Sequence, residues 1–384
     1  MVDKYNFRGV FRTFGYEMNG HDFHLIKEMI YGPLVRSDNN EEREYKKAEA
    51  YTAIQPNRQF LYEIVSNKAN QIDVDKWDYF ARDSYHLGVS SNFLHDRFIK
   101  FARVLQVPRK GERMKEICYR DKEAHSAYEM FHTRYRLYRM ACFHPVTVAV
   151  NIMICDALVE AAPYLTLTKP NGEKFDMLMI LKDMEAYRML DDTILGVIRR
   201  SHGNVKLTKA RTLLERIQKR ELYKLIRRIK LEKDAKVAEN DVKLEDIVKQ
   251  DKSLKLDDMC FKIVTLDYGM GAKNPVDKVL FYSKRDPEPR PIPQDEVSHL
   301  LPKTFQERQL FIYVKDSDKK EVASKCVDEW AQHQTWIPKR EPETPSVSKA
   351  KKIKCPPSTS EKRDSVEEGS PSETKRAMLQ EDEH

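Results

Sequence analysis

A mostly helical body followed by a smaller α+β lobe is predicted from two apolar patterns and one change of composition. Up to about Leu222, apolar residues recur at helical spacing, above all in Ile72–Gly88 and Asp121–Tyr164. From Tyr223 onward the pattern shortens to alternation in Tyr223–Ile229, Cys260–Asp267, Lys278–Ser283 and Gln309–Lys315, and a helical stretch closes it at Lys319–His333. After Trp336, Pro, Ser, Thr, Lys and Glu replace large apolar residues, which predicts a disordered tail. The expected domains are a helical lobe at 1–222, an α+β lobe at 223–336 and a tail at 337–384.

In order along the chain, Met1–Met18 is aromatic and basic without a period, and His21–Tyr31 reads as a helix on Phe23, Ile26, Met29 and Ile30, ended by Gly32-Pro33. Ser37–Gln55 is polar and loop-like, with one exposed helical turn expected in Asn39–Glu49. Gln59–Asn67 is expected as a helix burying Phe60, Leu61, Ile64 and Val65. A helix followed by a strand is expected over Asp96–Val107, and another strand over Arg113–Tyr119. The long helical run Asp121–Tyr164 should break near Cys142–His144, because Pro145 has no N–H to donate and crowds the preceding turn. Leu181–Arg199 and Ala210–Leu222 read as helices, and the charged connector Leu231–Ser253 as a helix or an excursion.

With 384 residues, 40% of them hydrophobic, the chain is long enough for one substantial core and a second lobe. Its net charge of +7 divides unevenly: from Glu341 onward there are 8 Lys or Arg against 10 Asp or Glu, which leaves the body at about +9. A basic body suits anionic partners such as nucleotides, nucleic acid or acidic protein surfaces. Cysteines 118, 142, 155, 260, 326 and 355 form no CxxC pair and read as reduced thiols. No apolar run reaches membrane-spanning length, and the opening MVDKYNFRGV lacks the apolar stretch of a signal peptide. The expected location is therefore the nucleus, the cytoplasm or both. In the tail, KAKKIK at Lys349–Lys354 is a nuclear-import candidate, and Thr344-Pro345 and Ser370-Pro371 are candidate proline-directed phosphorylation sites.

The stretch with the most chemistry is IDVDKWDYFARDSYHLG, Ile72–Gly88. Trp77, Phe80, Ala81 and Leu87 form its expected apolar side, while Asp75, Lys76, Tyr79 and Asp83 gather toward another face. Two carboxylates, an ammonium and a phenol about a turn apart suit a metal ion or a phosphate with its bound cation. The same residues also suit a solvated face with i, i+4 ion pairs.

Six motifs, in order and spacing, closely resemble the sterile-alpha-motif and HD-domain dNTP triphosphohydrolases: Phe60–Gly88, RFIKFARV at Arg97–Val104, RDKEAHSAYEMFHTR at Arg120–Arg134, DMEAYRMLDD at Asp183–Asp192, LDYGMGAKNPVDKV at Leu266–Val279 and SHLLPKTF at Ser298–Phe305. Those enzymes cleave dNTPs to deoxynucleoside and triphosphate and are activated by dGTP or GTP. The resemblance implies the C-terminal part of an HD-domain fold, with a transition metal and Mg²⁺ as the family's cofactors. It matches Asp75 to the last metal ligand, and Lys76, Tyr79, Asp83 and Arg134 to substrate contacts. Arg97, Arg120, Lys122, Arg220, Lys224 and Lys273 match contacts to activating nucleotide, made between subunits. The chain departs from the family at Tyr138, Met140, Cys142 and Pro145, where the family carries His, Arg, Tyr and Lys.

The family's first His, its consecutive His-Asp and its general-acid His belong to a segment without a counterpart in this sequence. The pair His21-Asp22 sits too close ahead of Asp75 to stand in for it, and Asp22 is expected to meet backbone donors at a helix start. One aspartate does not make a transition-metal site, so no metal is expected at Asp75. The leading expectation is an N-terminally truncated relative, catalytically incompetent alone. It would act by binding dNTP or GTP, or by forming an oligomer with itself or with a full-length relative. The alternatives are an active dNTPase whose N-terminal segment lies outside this sequence, and a basic module that binds single-stranded nucleic acid.

Overall fold

A computed structural model describes residues 7–32, 34–36, 45–47, 54–109, 112–177, 179–181, 183–233 and 235–338, which belong to one compact unit. The tail, with KAKKIK, Thr344 and Ser370, lies outside the described residues.

The chain opens with α1 (Phe7–Thr13), where the sequence offered no period, and α2 (Gly20–Tyr31). Asn19 caps α2: its Oδ1 accepts from the N–H groups of His21 (2.7 Å) and Asp22 (3.1 Å), and Asp22 Oδ2 accepts from the Asn19 N–H at 2.9 Å. Asp22 is thus a capping residue, as its position implies. β1 (Leu34–Arg36) pairs antiparallel with β2 (Tyr45–Lys47), so Tyr45–Lys47 is strand rather than the expected helical turn; β-ladder pairing takes the place of an isolated turn that has no packed face. The segment after it is a 3₁₀ turn, Pro56–Leu61, running into the short α3 (Tyr62–Val65). This short, changing geometry rotates the expected stripe: Tyr62 is buried and Ile64 is exposed.

α4 (Val74–Leu87) is the predicted amphipathic helix, capped by Asp73 and ended by Gly88 in the left-handed region, φ 64°. Phe80 is buried and Trp77 packs beside Phe98 and Met130, but Ala81 and Leu87 are exposed. The correction follows from geometry: a single buried stripe through Trp77, Phe80 and Ser84 leaves Ala81 and Leu87 around the helix circumference, where no second layer covers them. α5 (His95–Lys100) leads into the hairpin of β3 (Arg103–Arg109) and β4 (Glu112–Arg120). α6 (Ala124–Leu137), a π turn at Tyr138–Cys142 and α7 (Pro145–Ala161) follow, and the two helices are bent by 61° at the predicted break. Among the described residues no single helix is long and apolar enough to cross a membrane.

Beyond the hairpin β5 (Thr166–Thr168) and β6 (Lys174–Asp176), the stretch read as one helix is divided into α8 (Met184–Arg188) and α9 (Thr193–Arg200). Asp191 divides them by accepting from both the N–H and the hydroxyl of Thr193, which starts a new helix. α10 (Thr208–Gln218) leads to β7 (Lys224–Lys230). The charged connector is tethered by buried Leu231, Val237, Val242, Ile247 and Leu254, with Ile247 on the short α11 (Leu244–Val248). β8 (Met259–Asp267), β9 (Phe281–Tyr282), α12 (Gln294–Val297), β10 (Gln306–Val314) and α13 (Lys320–Gln332) complete the described order.

β10 lies between β7 and β8, antiparallel to both. Its alternation fills two cores: Leu310, Ile312 and Val314 pack with Ala323, Val327 and Trp330 of α13, whereas Phe311 and Tyr313 pack with Val148, Ala149 and Met153 of α7. A third core gathers Phe80 of α4, Phe98, Tyr119, Phe131 of α6, Tyr268, Phe281 and Phe305. β9 joins β4 in parallel and carries Phe281 into that core.

Glu63 of α3 reaches the β3–β4 hairpin, where its Oε2 accepts from the Ile117 N–H at 2.9 Å. Burial pushes its carboxyl up from 4.5 to about 8. Folding therefore favours the protonated form, so this group's contribution to stability is complete below about pH 4.5 and is lost as pH rises toward 8. Glu63→Gln keeps the acceptor without the charge. It should raise the melting temperature at pH 8 and flatten its decline from about pH 5, as followed by circular dichroism.

Candidate functional site

The N-terminus of α4 fixes the polar face. Asp73 is buried and extended (φ −145°, ψ 164°); its carboxylate accepts from the N–H groups of Lys76 and Asn67, each at 3.2 Å, and holds Lys76 Nζ at 3.3 Å. Lys76 is thereby turned inward, with 13% of its side chain exposed. One turn on, the half-buried Tyr79 meets Phe80 edge to face at 4.6 Å. Burial, then the neighbouring Tyr138, pushes its phenol well above the usual tyrosine range, and the Arg134 guanidinium pulls part of the way back. At the next turn Asp83 pairs with Arg82 at 3.2 Å.

Arg134 comes from the last turn of α6. Its Nη1 donates to the main-chain oxygen of Asp267 and to Asp267 Oδ1 at 2.7 Å, and its guanidinium lies over the Tyr138 ring, 4.3 Å from the centroid. Cys142, exposed at the end of the π turn, lies within electrostatic reach of the same groups: partial desolvation raises its thiol, Asp83 raises it further and Arg134 lowers it. Tyr79, Asp83 and Arg134 thus lie within electrostatic reach of Tyr138 or Cys142, two of the positions at which the chain departs from its motif, and Lys76 sits one turn before Tyr79 on Asp73. A separate cleft lined by His132, Tyr135, Tyr268, Leu300 and Phe305 contains none of those four.

The six other cations fall into three places. Arg97 pairs at 2.7 Å with the fully buried Glu123, Arg120 pairs with Asp121 at 2.9 Å, and exposed Lys122 lies between those two acids. Arg220 and Lys224 flank the turn from α10 into β7, where exposed Arg220 adopts a left-handed φ of 62°. Lys273 is exposed in the loop before Asn274.

No family model matches the chain. It is similar to the deoxynucleoside triphosphate triphosphohydrolase SAMHD1 of Homo sapiens, 40% identical over 312 residues that cover 78% of this chain and 48% of that protein. The Mus musculus protein of the same name is 38% identical over 326 residues, 80% of this chain and 48% of the relative. The SAMHD1 homolog of Dictyostelium discoideum is 33% identical over 263 residues, 68% and 48%. This chain belongs to the HD-domain triphosphohydrolase family. It spans about half the length of the relatives it matches.

The family implies a metal-dependent enzyme, and the described residues do not fit such a metal. Asp75 is exposed on the first turn of α4, and among the described residues no group of three or more His, Cys, Asp or Glu is placed to hold an ion. His21 is exposed and Asp22 is committed to its cap. Sequence reasoning overlooked Asp73 and Asp267. The cap was legible in Asp73 preceding the apolar period, and Asp267 in the D-x-G-x-G run that follows β8.

The two aspartates of this helix start should separate in a urea denaturation experiment. Asp73→Ala removes the cap and frees Lys76, for a loss of about 1–2 kcal/mol. Asp75→Ala should change stability by no more than about 0.5 kcal/mol.

Proposed function

We propose that this chain binds deoxynucleoside or guanosine triphosphates on the α4–α6 face, does not hydrolyse them by itself, and acts by entering oligomers, including those of a complete relative. The observation that carries this reading is the placement of Lys76, Tyr79 and Asp83 along α4, with Tyr79 within electrostatic reach of Arg134, where the described residues offer no set of metal donors. In this reading Lys76 meets a phosphate as a point charge and Arg134 meets one as a planar fork. Tyr79 stays a neutral phenol and stacks on or bonds to the sugar, while Asp83 accepts from the 3′-hydroxyl. Binding without turnover follows, since nothing among these groups lowers the pKa of an attacking water.

Arg97, Arg120, Lys122, Arg220, Lys224 and Lys273 are the proposed contacts to activating nucleotide. Their scatter over separate places supports a role in which each cation meets a nucleotide held by another subunit, so that assembly depends on ligand concentration. The half-length match to the relatives favours a second reading, an active dNTPase whose metal ligands come from a segment outside this sequence. The location proposed is the nucleus, the cytoplasm or both, with KAKKIK as the import signal.

The purified chain, given dGTP with Mg²⁺, Mn²⁺ or Fe²⁺, should bind the nucleotide and release no triphosphate above a buffer blank. Turnover that disappears in Asp75→Ala overturns the proposal, whereas activity that appears only in a longer in-frame form carrying an upstream His and His-Asp supports the second reading. Co-expressed with a full-length relative, the chain should co-purify on size-exclusion chromatography in the presence of dGTP and lower the relative's activity per subunit. A folded chain that elutes alone under nucleotide excludes the partner role.

A further inference from the structure

The Arg134 guanidinium is held from one side. Both of its hydrogen bonds use Nη1, and both go to Asp267, one to the main chain and one to Oδ1. Among the described residues no hydrogen bond uses its Nε or Nη2, and those two nitrogens form the side edge of the fork, the pair that matches two oxygens of one phosphate. The Tyr138 ring beneath it fixes the plane.

Asp267 is itself held. Its Oδ1 accepts from the Gly269 N–H at 2.9 Å and its Oδ2 from the Gly271 N–H at 3.2 Å. Both glycines have left-handed φ, 97° and 61°, so the turn that wraps the carboxylate depends on their missing side chains. A Cβ at Gly269 would stand 3.9 Å from Arg134 Nε. Asp267 ends β8, whose register against β10 is continuous from Gln306↔Asp267 to Val314↔Met259, so the carboxylate is fixed at the end of an unbroken antiparallel pair.

We infer that Asp267 is a positioning residue: it clamps Nη1 of Arg134 so that the Nε–Nη2 edge is presented to one phosphate of a bound nucleotide. The inference rests on the proposed nucleotide reading of the α4–α6 face and deepens it. A competing electrostatic expectation has the opposite sign. If Asp267 acted only as a negative charge near a phosphate, its removal would strengthen binding; if it positions Arg134, its removal weakens binding although the site becomes more positive.

The test is dGTP affinity of the full chain, by calorimetry, for wild type, Asp267→Ala, Arg134→Ala, Arg134→Lys and the Asp267→Ala/Arg134→Ala double variant. Asp267→Ala and Arg134→Ala should each weaken binding about tenfold, the scale of a hydrogen bond to a charged group. The double variant should be no weaker than Arg134→Ala, because Asp267 acts through that arginine. Arg134→Lys should recover little, since an ammonium cannot form the fork. Tighter binding by Asp267→Ala, or additive losses in the double variant, overturns the inference. Wild-type protein without dGTP affinity removes the nucleotide reading, and ¹⁵N relaxation of the Arg134 Nε–H then decides the clamp alone. Order in wild type that is lost in Asp267→Ala supports it, and order unchanged by that variant overturns it.

Discussion

Two-sided burial of β10 is the constraint on which the rest of the described structure depends. A strand covered on both faces must supply apolar side chains to two layers at once, and Leu310, Ile312 and Val314 serve α13 while Phe311 and Tyr313 serve α7. A slip of one residue would exchange the two sets and misfit both layers. The fixed register determines where β8 ends, and Asp267 at that end is the point where the sheet takes hold of α6. Helix α7 is gripped from the other direction, through Tyr313, whose hydroxyl donates to the Pro145 carbonyl at 2.9 Å. The α6–π–α7 segment is thus anchored to the same sheet before and after its bend.

The polar face of α4 is built on this frame by local chemistry. Asp73 closes the helix start and draws Lys76 down, Phe80 seats the helix in the aromatic core, and Tyr79 is carried to the border between core and solvent. Packing and placement of the polar groups are the same act here, since Trp77 and Phe80 point inward from the helix that presents Lys76, Tyr79 and Asp83. Arg97, half exposed, pairs with the buried carboxylate of Glu123, which needs a cation within reach to be tolerated where it is.

Much of this was legible in the sequence. Alternation located β7, β8 and β10, the proline placed the bend between α6 and α7, and helical spacing found α4 together with its polar face. What local patterns miss is what depends on distant contacts. Ala81 and Leu87 look apolar and face solvent, because periodicity finds a stripe but not the width of the layer that covers it. The helix expected over Leu181–Arg199 divides where Asp191 bonds to Thr193, a competition of side chain with backbone that a hydrophobicity pattern does not register. Asp267 escapes a local reading because its partner is 133 residues away, whereas Asp75 lies within a motif although its side chain is exposed.

The π turn at Tyr138–Cys142 sets a length as well as a bend. Its wide loop, closed by the Phe143 N–H on the Tyr138 carbonyl at 2.7 Å, accommodates one more residue than an α-helical turn would. Deleting one residue there would shorten the link between α6 and α7 by about 1.5 Å of helical rise. The α7 residues that meet Phe311 and Tyr313 would then be displaced on the sheet if Arg134 kept its place over Tyr138, or Arg134 would leave Asp267 if the sheet kept its hold. The agreement between the polar α4–α6 face and the sheet core is therefore a matter of chain length, counted in single residues, at a segment where no side chain is buried.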